Sequence, residues 1–468
     1  MDDFLREIQT SLFREWINNQ KRDYYHLHQS ETDPDAIIIE NEYCYSYVTF
    51  NPQCIIELCV MNKRTDEMAF YLHFQFKTLK HAISLFEEMD QCIKKMIDQP
   101  ICRLLLCCSG GMTTAFFADK IKNGIKVLNL NMEVAATSYQ KIYNVAQNYD
   151  VILLAPQVSY VKLQVEKVFK NKLVLKIPTQ IFASYNVGAL ITFVEESLKH
   201  KENKYNGYIE PLASMMEIKT NKNVLAVSIN ANGENSHISY RLYNLHQDIV
   251  LDSNIIKSNI KVQDVLDALD TVVLQNEMID VISIALPGVM VEGNIYSGII
   301  EGGNHQLKER LEKRYEKEIY LINDVNAAVV GYYASQTEYK SLAFLFQPIG
   351  RMAGSGIVVN GQLVRGMDHL AGEVALLPLK LSDSYLNLAN TPEGTLELVT
   401  KNIMSIIAIV SPEAIVVYSD LILDSQDVSD EIKKSLSQYS LKVYPKIIKV
   451  ENILEYILLG AMILSAKE

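Results

Sequence analysis

Apolar residues recur along this chain with different rhythms, and each change of rhythm marks a division. Residues 2–20 place Phe4, Ile8, Leu12, Phe13 and Trp16 near helical spacing, which predicts an amphipathic helix. A polar loop follows at 28–35. Strand-like runs then occupy Ala36–Glu40 leading into Tyr43–Phe50, Cys54–Met61 and Met68–Phe76, with turns at Asn51-Pro52 and Lys63–Asp66. A helix over 78–97 closes a small α+β unit, residues 1–98, which carries no recognisable catalytic motif.

Residues 101–199 change rhythm. Short apolar runs at Arg103–Cys108, Lys126–Asn131, Val151–Ala155 and Leu173–Ile177 predict strands. Helical spacing at Met112–Asn123, Thr137–Gln147, Val158–Phe169 and Asn186–Leu198 separates them. Four β-α units in a row predict a parallel sheet covered on both faces. Right-handed crossovers make that sheet flavodoxin-like. Residues 200–222 form a polar linker followed by a short apolar stretch, and residues 223–468 a second α/β unit long enough for two lobes. No internal repeat is evident.

The totals narrow the classes. A length of 468 residues suggests two to four domains. With 49% hydrophobic and 21% charged residues the chain can build large cores, and disorder is not indicated. A net charge of −12 disfavours nucleic acid and anionic membranes, although ordinary solubility is the stronger explanation of it. No window reaches the ~18–20 apolar residues of a membrane span, and the start Met-Asp-Asp-Phe-Leu lacks a signal-peptide pattern, so a cytoplasmic protein is expected. All seven cysteines lie between Cys44 and Cys108, irregularly spaced, and should be thiols.

Cys108 ends an apolar strand and is followed by Ser109-Gly110-Gly111-Met112-Thr113-Thr114, where a helix begins. In an open parallel sheet, ligands bind beyond the carboxyl ends of the strands. A helix start offers unpaired amides and a positive dipole end. Gly110 and Gly111 let backbone curl around an anion. A thiolate there is stabilised and reactive. The same residues also fit a buried cysteine before a glycine turn. Cys107, on the opposite face by strand alternation, reads as core.

The segment resembles the IIB component of the lactose/cellobiose family of the bacterial sugar phosphotransferase system. The likeness rests on Cys108 to Thr114 and on Asp150-Val151-Ile152-Leu153-Leu154-Ala155-Pro156-Gln157, followed by Val158-Ser159-Tyr160. It implies a phosphocysteine at Cys108, filled from a histidine of a IIA protein and discharged to a sugar held by a membrane IIC permease. Pro156, Gln157 and Tyr160 then border the cysteine, or form a plain strand-to-helix turn.

Residues 223–468 resemble the ROK family of sugar kinases and repressors, which implies an actin/hexokinase-like two-lobed fold. The resemblance rests on Ile282 to Val289 with its Pro287-Gly288, on Leu321-Ile322-Asn323-Asp324-Val325-Asn326-Ala327-Ala328, on Gly350 to Gly356, on Asn360 to Gly366, and on Ala371-Gly372-Glu373. It implies Asp324 as the base for a sugar hydroxyl, with Asn323 and Glu373 as sugar contacts. Asp324 and Asn326 also read as helix caps.

The kinase parts depart from the family. The first phosphate loop, an Asp followed by Gly-Gly-Thr in the family, reads Ser228-Ile229-Asn230-Ala231-Asn232-Gly233. The second keeps Gly350, Gly354 and Gly356, but Arg351 and Met352 replace small residues. The family's zinc site needs a histidine where Leu376 stands and cysteines where none follow Cys108, so no zinc or other metal is expected. Mg-ATP is expected only if this module is active.

The sequence thus reads as α/β: a flavodoxin-like IIB phosphocarrier followed by a degenerate ROK module that senses a sugar or sugar phosphate. Alternatives are a regulatory binding protein whose Cys108 is never phosphorylated, and a bifunctional phosphocarrier and sugar kinase. No nucleic acid or membrane insertion is expected, and a homodimer is an open option.

Overall fold

The computed structural model describes residues 3–20, 22–63, 67–97, 102–109, 112–128, 130, 132–169, 172–202, 221–232, 235–291, 294–301, 307–367, 370–422, 424–437 and 444–466. Gly110, Gly111 and most of the 200–222 linker therefore lie outside the described residues.

The 101–199 unit is a four-stranded parallel sheet in the order Met132–Ser138, Cys102–Cys108, Val151–Leu154, Leu173–Lys176. The first strand in sequence lies inside the sheet, so its carboxyl end sits where the chain's path reverses. One core on each face covers it, as expected for parallel strands. The element boundaries differ from the periodicity reading. The strand expected at Lys126–Asn131 does not start there: the helix Met112–Val127 takes its first two residues, and Val127 is exposed. The strand comes later, at Met132–Ser138, where Met132 and Val134 are buried. Local alternation in Val-Leu-Asn-Leu mimicked a strand, but tertiary packing chose the next apolar pair. Thr137–Gln147 yields only a short helix, Ile142–Val145, flanked by 3-10 turns.

Residues 223–466 form two lobes of equal topology. One sheet runs Ile249–Lys257, Asn235–Tyr243, Val224–Asn232, Val281–Leu286, Glu318–Asn323; the first three strands are antiparallel and the rest parallel. The other runs Gln362–Leu363, Gly354–Val359, Leu342–Phe346, Ala414–Tyr418, Lys446–Lys449 with the same polarity pattern. Helices Asp324–Ala334 and Leu454–Ala466 cross backbone to backbone. A Cβ on Gly331 would fall 2.0 Å from the Tyr456 carbonyl oxygen, and one on Gly460 would fall 1.8 Å from that of Ala327. Buried Arg241 fixes the second of these helices through both carboxylate oxygens of Glu455, at 2.8 and 2.9 Å.

The first lobe does not end at its own edge. Strand Ile249–Lys257 pairs with Glu67–Gln75, and Ile55–Asn62, Cys44–Asn51, Ala36–Glu40 and His26–Gln29 extend the sheet to ten strands. Residues 1–98, read from sequence as a separate α+β unit, thus share a sheet and one continuous core with the first lobe. Polar contacts stitch the seam. Lys257, 2% exposed in its side chain, pairs with Glu88 and Asp264, both at 2.5 Å. Lys77 reaches Asp267 and Asp270, and His73 hydrogen-bonds the Tyr240 hydroxyl at 2.6 Å. Strand His26–Gln29 was hidden from the sequence reading because it is a short, polar edge strand. In helix Asp3–Asn18, Phe13 and Ile17 are buried, whereas Phe4, Ile8 and Leu12 are exposed rather than in the core.

No helix of the described residues is long and apolar enough to cross a membrane.

Candidate functional site

Two regions carry the residues singled out by sequence. In the first, Cys108 is the last residue of an inner strand, paired in register with Ser138, and helix Met112–Val127 starts four residues later. Met112, Thr113 and Thr114 supply that helix's first turn. Ser109 is exposed, while Cys108 is 1% exposed among Val158, Ile142 and Ala155. The Ala155 amide donates to the Cys107 carbonyl at 2.8 Å, which brings the Pro156–Val161 turn against the end of the cysteine strand. Gln157 and Tyr160 are exposed on this turn. Cys107 is fully buried, and burial, aided by the adjacent Cys108, pushes its thiol up to about 12. That suits a core residue and not a nucleophile at neutral pH.

The second region lies where the lobes meet. Asn323 caps helix Asp324–Ala334: its Oδ1 accepts from the amides of Val325 and Asn326, both at 3.1 Å, and its Nδ2 donates to the Gly288 carbonyl at 3.1 Å. The N-cap residue is therefore Asn323; Asp324 Oδ1 also accepts from the first-turn amide of Val325, at 2.9 Å, whereas the Asn326 side-chain oxygen has no partner among the described residues. The Pro-Gly and Asn-Asp motifs thereby meet. Gly356 and Gly372 bring the other lobe close. A Cβ on Gly356 would lie 2.4 Å from the Val325 carbonyl oxygen, and Gly372 adopts φ +93 with its would-be Cβ 1.9 Å from the Ser355 carbonyl oxygen. Glu373 follows at once in the chain, and its charge acts to raise the Asp324 carboxyl.

Asp324 is 3% exposed. Burial, with a smaller push from Glu373, raises its carboxyl to about 7 against backbone hydrogen bonds from the amides of Val325 and of Asp324 itself. Burial also raises Glu373. Asn326 Oδ1 and Ser355 Oγ are buried without a hydrogen-bond partner among the described residues. Asn326 and Ser355 thus each keep a buried polar atom that a polyhydroxyl ligand is chemically able to satisfy. Ser355 was missed in the sequence because a serine between glycines carries no signal of its own. Asn326 was visible in its motif but was read as a cap.

The stability consequence of Asp324 has a definite sign. Its folded value, about 7, exceeds the ordinary aspartate value of 3.8. Stability is thus present at low pH, falls as pH rises from the unfolded toward the folded value, and stays reduced above it. Asp324→Asn should stabilise the protein at pH 8 by on the order of 2–4 kcal/mol and leave it nearly unchanged near pH 4. Thermal melts at both pH values check this; an equal shift at both would refute it.

The stretches that resemble phosphate loops are occupied. Ser228 to Asn232 lie inside a strand, with Ser228 fully buried and bonded by the Asn230 side-chain amide at 3.4 Å. Gly354 and Gly356 lie in strand Gly354–Val359, where their small size serves contact with Val325. Gly350, at φ +63, lies in the turn before it. Inside that turn sits the fully buried Gln347 side chain. Its Nε2 donates to the carbonyls of Pro348 and Arg351, both at 2.9 Å, and its Oε1 accepts from the Tyr385 hydroxyl at 2.8 Å. That hydroxyl accepts from the Ala353 amide at 3.1 Å, and the Gly350 amide donates to the Ala389 carbonyl at 3.0 Å. Leu376, at the family's zinc histidine position, is exposed and offers no metal donor.

The family model of the lactose/cellobiose-specific IIB subunit of the phosphotransferase system matches residues 103–192, and that of the ROK family matches residues 232–395. The chain therefore carries a phosphotransferase-system IIB domain and a ROK domain. Among solved structures, a ROK family protein from Streptococcus pneumoniae TIGR4 in complex with sucrose is 18% identical, over 52% of this chain and 97% of its own, with a TM-score of 0.41. A ROK family glucokinase from Streptomyces griseus in complex with glucose and AMPPNP is 16% identical, over 52% and 98%, with a TM-score of 0.40. The lactose-specific IIB component domain from Streptococcus pneumoniae is 21% identical, over 20% and 95%, with a TM-score of 0.19. No curated protein matches the chain.

Proposed function

We propose that the protein is a cytoplasmic phosphocarrier of a sugar phosphotransferase system whose ROK domain binds a sugar and no longer transfers phosphate from ATP. Cys108 accepts a phosphoryl group from a phosphohistidine of a IIA protein. Its sulfur attacks phosphorus as a thiolate; the P–S bond forms while the P–N bond breaks, and the departing imidazole nitrogen keeps the electron pair and takes up a proton. The phosphoryl group then moves to a sugar at a IIC permease or persists as a signal. The observation that carries this reading is the position of Cys108, at the carboxyl end of an inner parallel strand with a sixteen-residue helix opening beyond it. The orphaned polar groups around Asp324 and Glu373 support a sugar site.

Mass spectrometry after incubation with the general phosphotransferase components and a IIA protein tests it. The expected product is one phosphoryl group on Cys108. A second reading, a sugar-responsive regulator that is never phosphorylated, draws support from the 1% exposure of Cys108, and an unmodified Cys108 in folded protein would select it.

A further inference from the structure

We infer that Gln347 is a built-in plug that closes the nucleotide half of the ROK cleft, so that this domain takes its sugar without a nucleotide. The inference deepens the reading of that cleft given above and rests on it. It starts from the sign of the groups lining a turn. A loop that holds phosphate converges backbone N–H donors on the anion. The turn over residues 347–353 does the reverse. Two carbonyls, those of Pro348 and Arg351, point inward and take both protons of one buried carboxamide. A phosphate in that space would meet acceptor oxygens, and its own charge would be buried against them.

Four backbone amides in and beside this turn are committed elsewhere. Gly350 donates to Ala389, Ala353 to the Tyr385 hydroxyl, and Ser355 to Gly372. The Gln347 amide donates to Tyr418. Gln347, with both protons and its oxygen bonded and no exposed surface, has the full hydrogen-bonding of a structural core group. Opening the turn would strip a satisfied buried amide of three partners, which is costly in a low-dielectric interior. Asn402 adds a longer contact to the same tyrosine hydroxyl at 3.5 Å. The family's Mg-ATP therefore does not fit these residues, and no reaction step runs through it here. A sugar at Asp324 and Glu373 requires none of these bonds to break.

Calorimetry on the full chain tests the plug with MgATP as the probe, alone and with glucose or sucrose present. The expected result is no saturable binding of MgATP up to about 5 mM. Saturable binding anywhere up to about 5 mM would overturn it. MgATP binding without sugar phosphorylation would sink the plug and leave the non-kinase reading standing. MgATP binding with phosphorylation of either sugar would sink both. Hydrogen exchange supplies a readout independent of any ligand. The amides of Gly350 and Ala353 should be protected in the wild type and exchange at least about tenfold faster in Tyr385→Phe, which deletes the hydroxyl that ties Gln347 to Ala353. Fast exchange already in the wild type would overturn the plug.

Discussion

Cys108→Ser should lose phosphoryl acceptance from a IIA phosphohistidine by at least about a thousandfold, equivalent to ~4 kcal/mol in the barrier. A serine hydroxyl is not ionised at neutral pH, and the helix start that stabilises a thiolate has nothing comparable to stabilise in its place. The variant is nearly isosteric, so loss of fold is not the explanation to expect, and an unchanged melting temperature would establish that. Cys107→Ala is the control. Cys107 lies one residue away and is equally buried, yet its thiol is held protonated by burial, up to about 12. It should retain acceptance within about threefold, because only the thiolate is nucleophilic. Equal losses in the two variants would show that both act through the fold. Retained labelling in Cys108→Ser would move the acceptor elsewhere and end the phosphocysteine reading.

The two candidate sites were legible in the sequence to different depths. Cys108 was legible because its chemistry is local: a strand end, a glycine pair and a helix start follow one another directly in the chain. Asn323, Asp324 and Glu373 were visible as motifs, but their meeting depends on a Gly372 that adopts φ +93 and a Gly356 that admits the Val325 backbone. That meeting is tertiary. Gln347 was not legible. A lone glutamine before a proline has no pattern, and its role appears only when Tyr385, far along the chain, closes on it. Glycines at 354 and 356 were read as relics of phosphate binding, whereas their contacts give them a packing reason of their own. The pairing of residues 1–98 with the first lobe was not legible for a related reason. Alternation identifies strands, but it does not say which strand of which unit lies beside them, since strand partners are set by nonlocal edges. Lys77, His73 and Glu88 meet Asp267, Tyr240 and Lys257 across that seam, and none of these pairs has a sequence signature.

Deleting residues 1–97 should leave the ROK domain unable to fold as a soluble monomer, whereas replacing 98–221 with a flexible linker should leave the remainder folded. The asymmetry follows from where the cores lie. Phe13, Ile37, Val48, Leu58, Leu72, Phe74 and Phe86 share one buried cluster with Ile238, Tyr240, Ile255, Val265 and Leu269 of the first lobe. Uncovering five such lobe side chains at about 2 kcal/mol each removes ~10 kcal/mol. A folded domain has only about 5–15 kcal/mol to lose. The deletion also turns strand Ile249–Lys257 into an unpaired edge, a template for aggregation. The IIB domain, by contrast, is built on clusters that contain no residue of the lobes or of residues 1–98. Among the described residues, its excision from between Ile97 and Lys222 takes no side chain out of the clusters that hold the remaining body together. Gel filtration and thermal melts of the two proteins decide the matter. A monomeric, cooperatively melting protein lacking 1–97 would mean the shared sheet is dispensable. If the protein lacking 98–221 aggregated instead, the IIB domain would be part of the body and not an insertion within it.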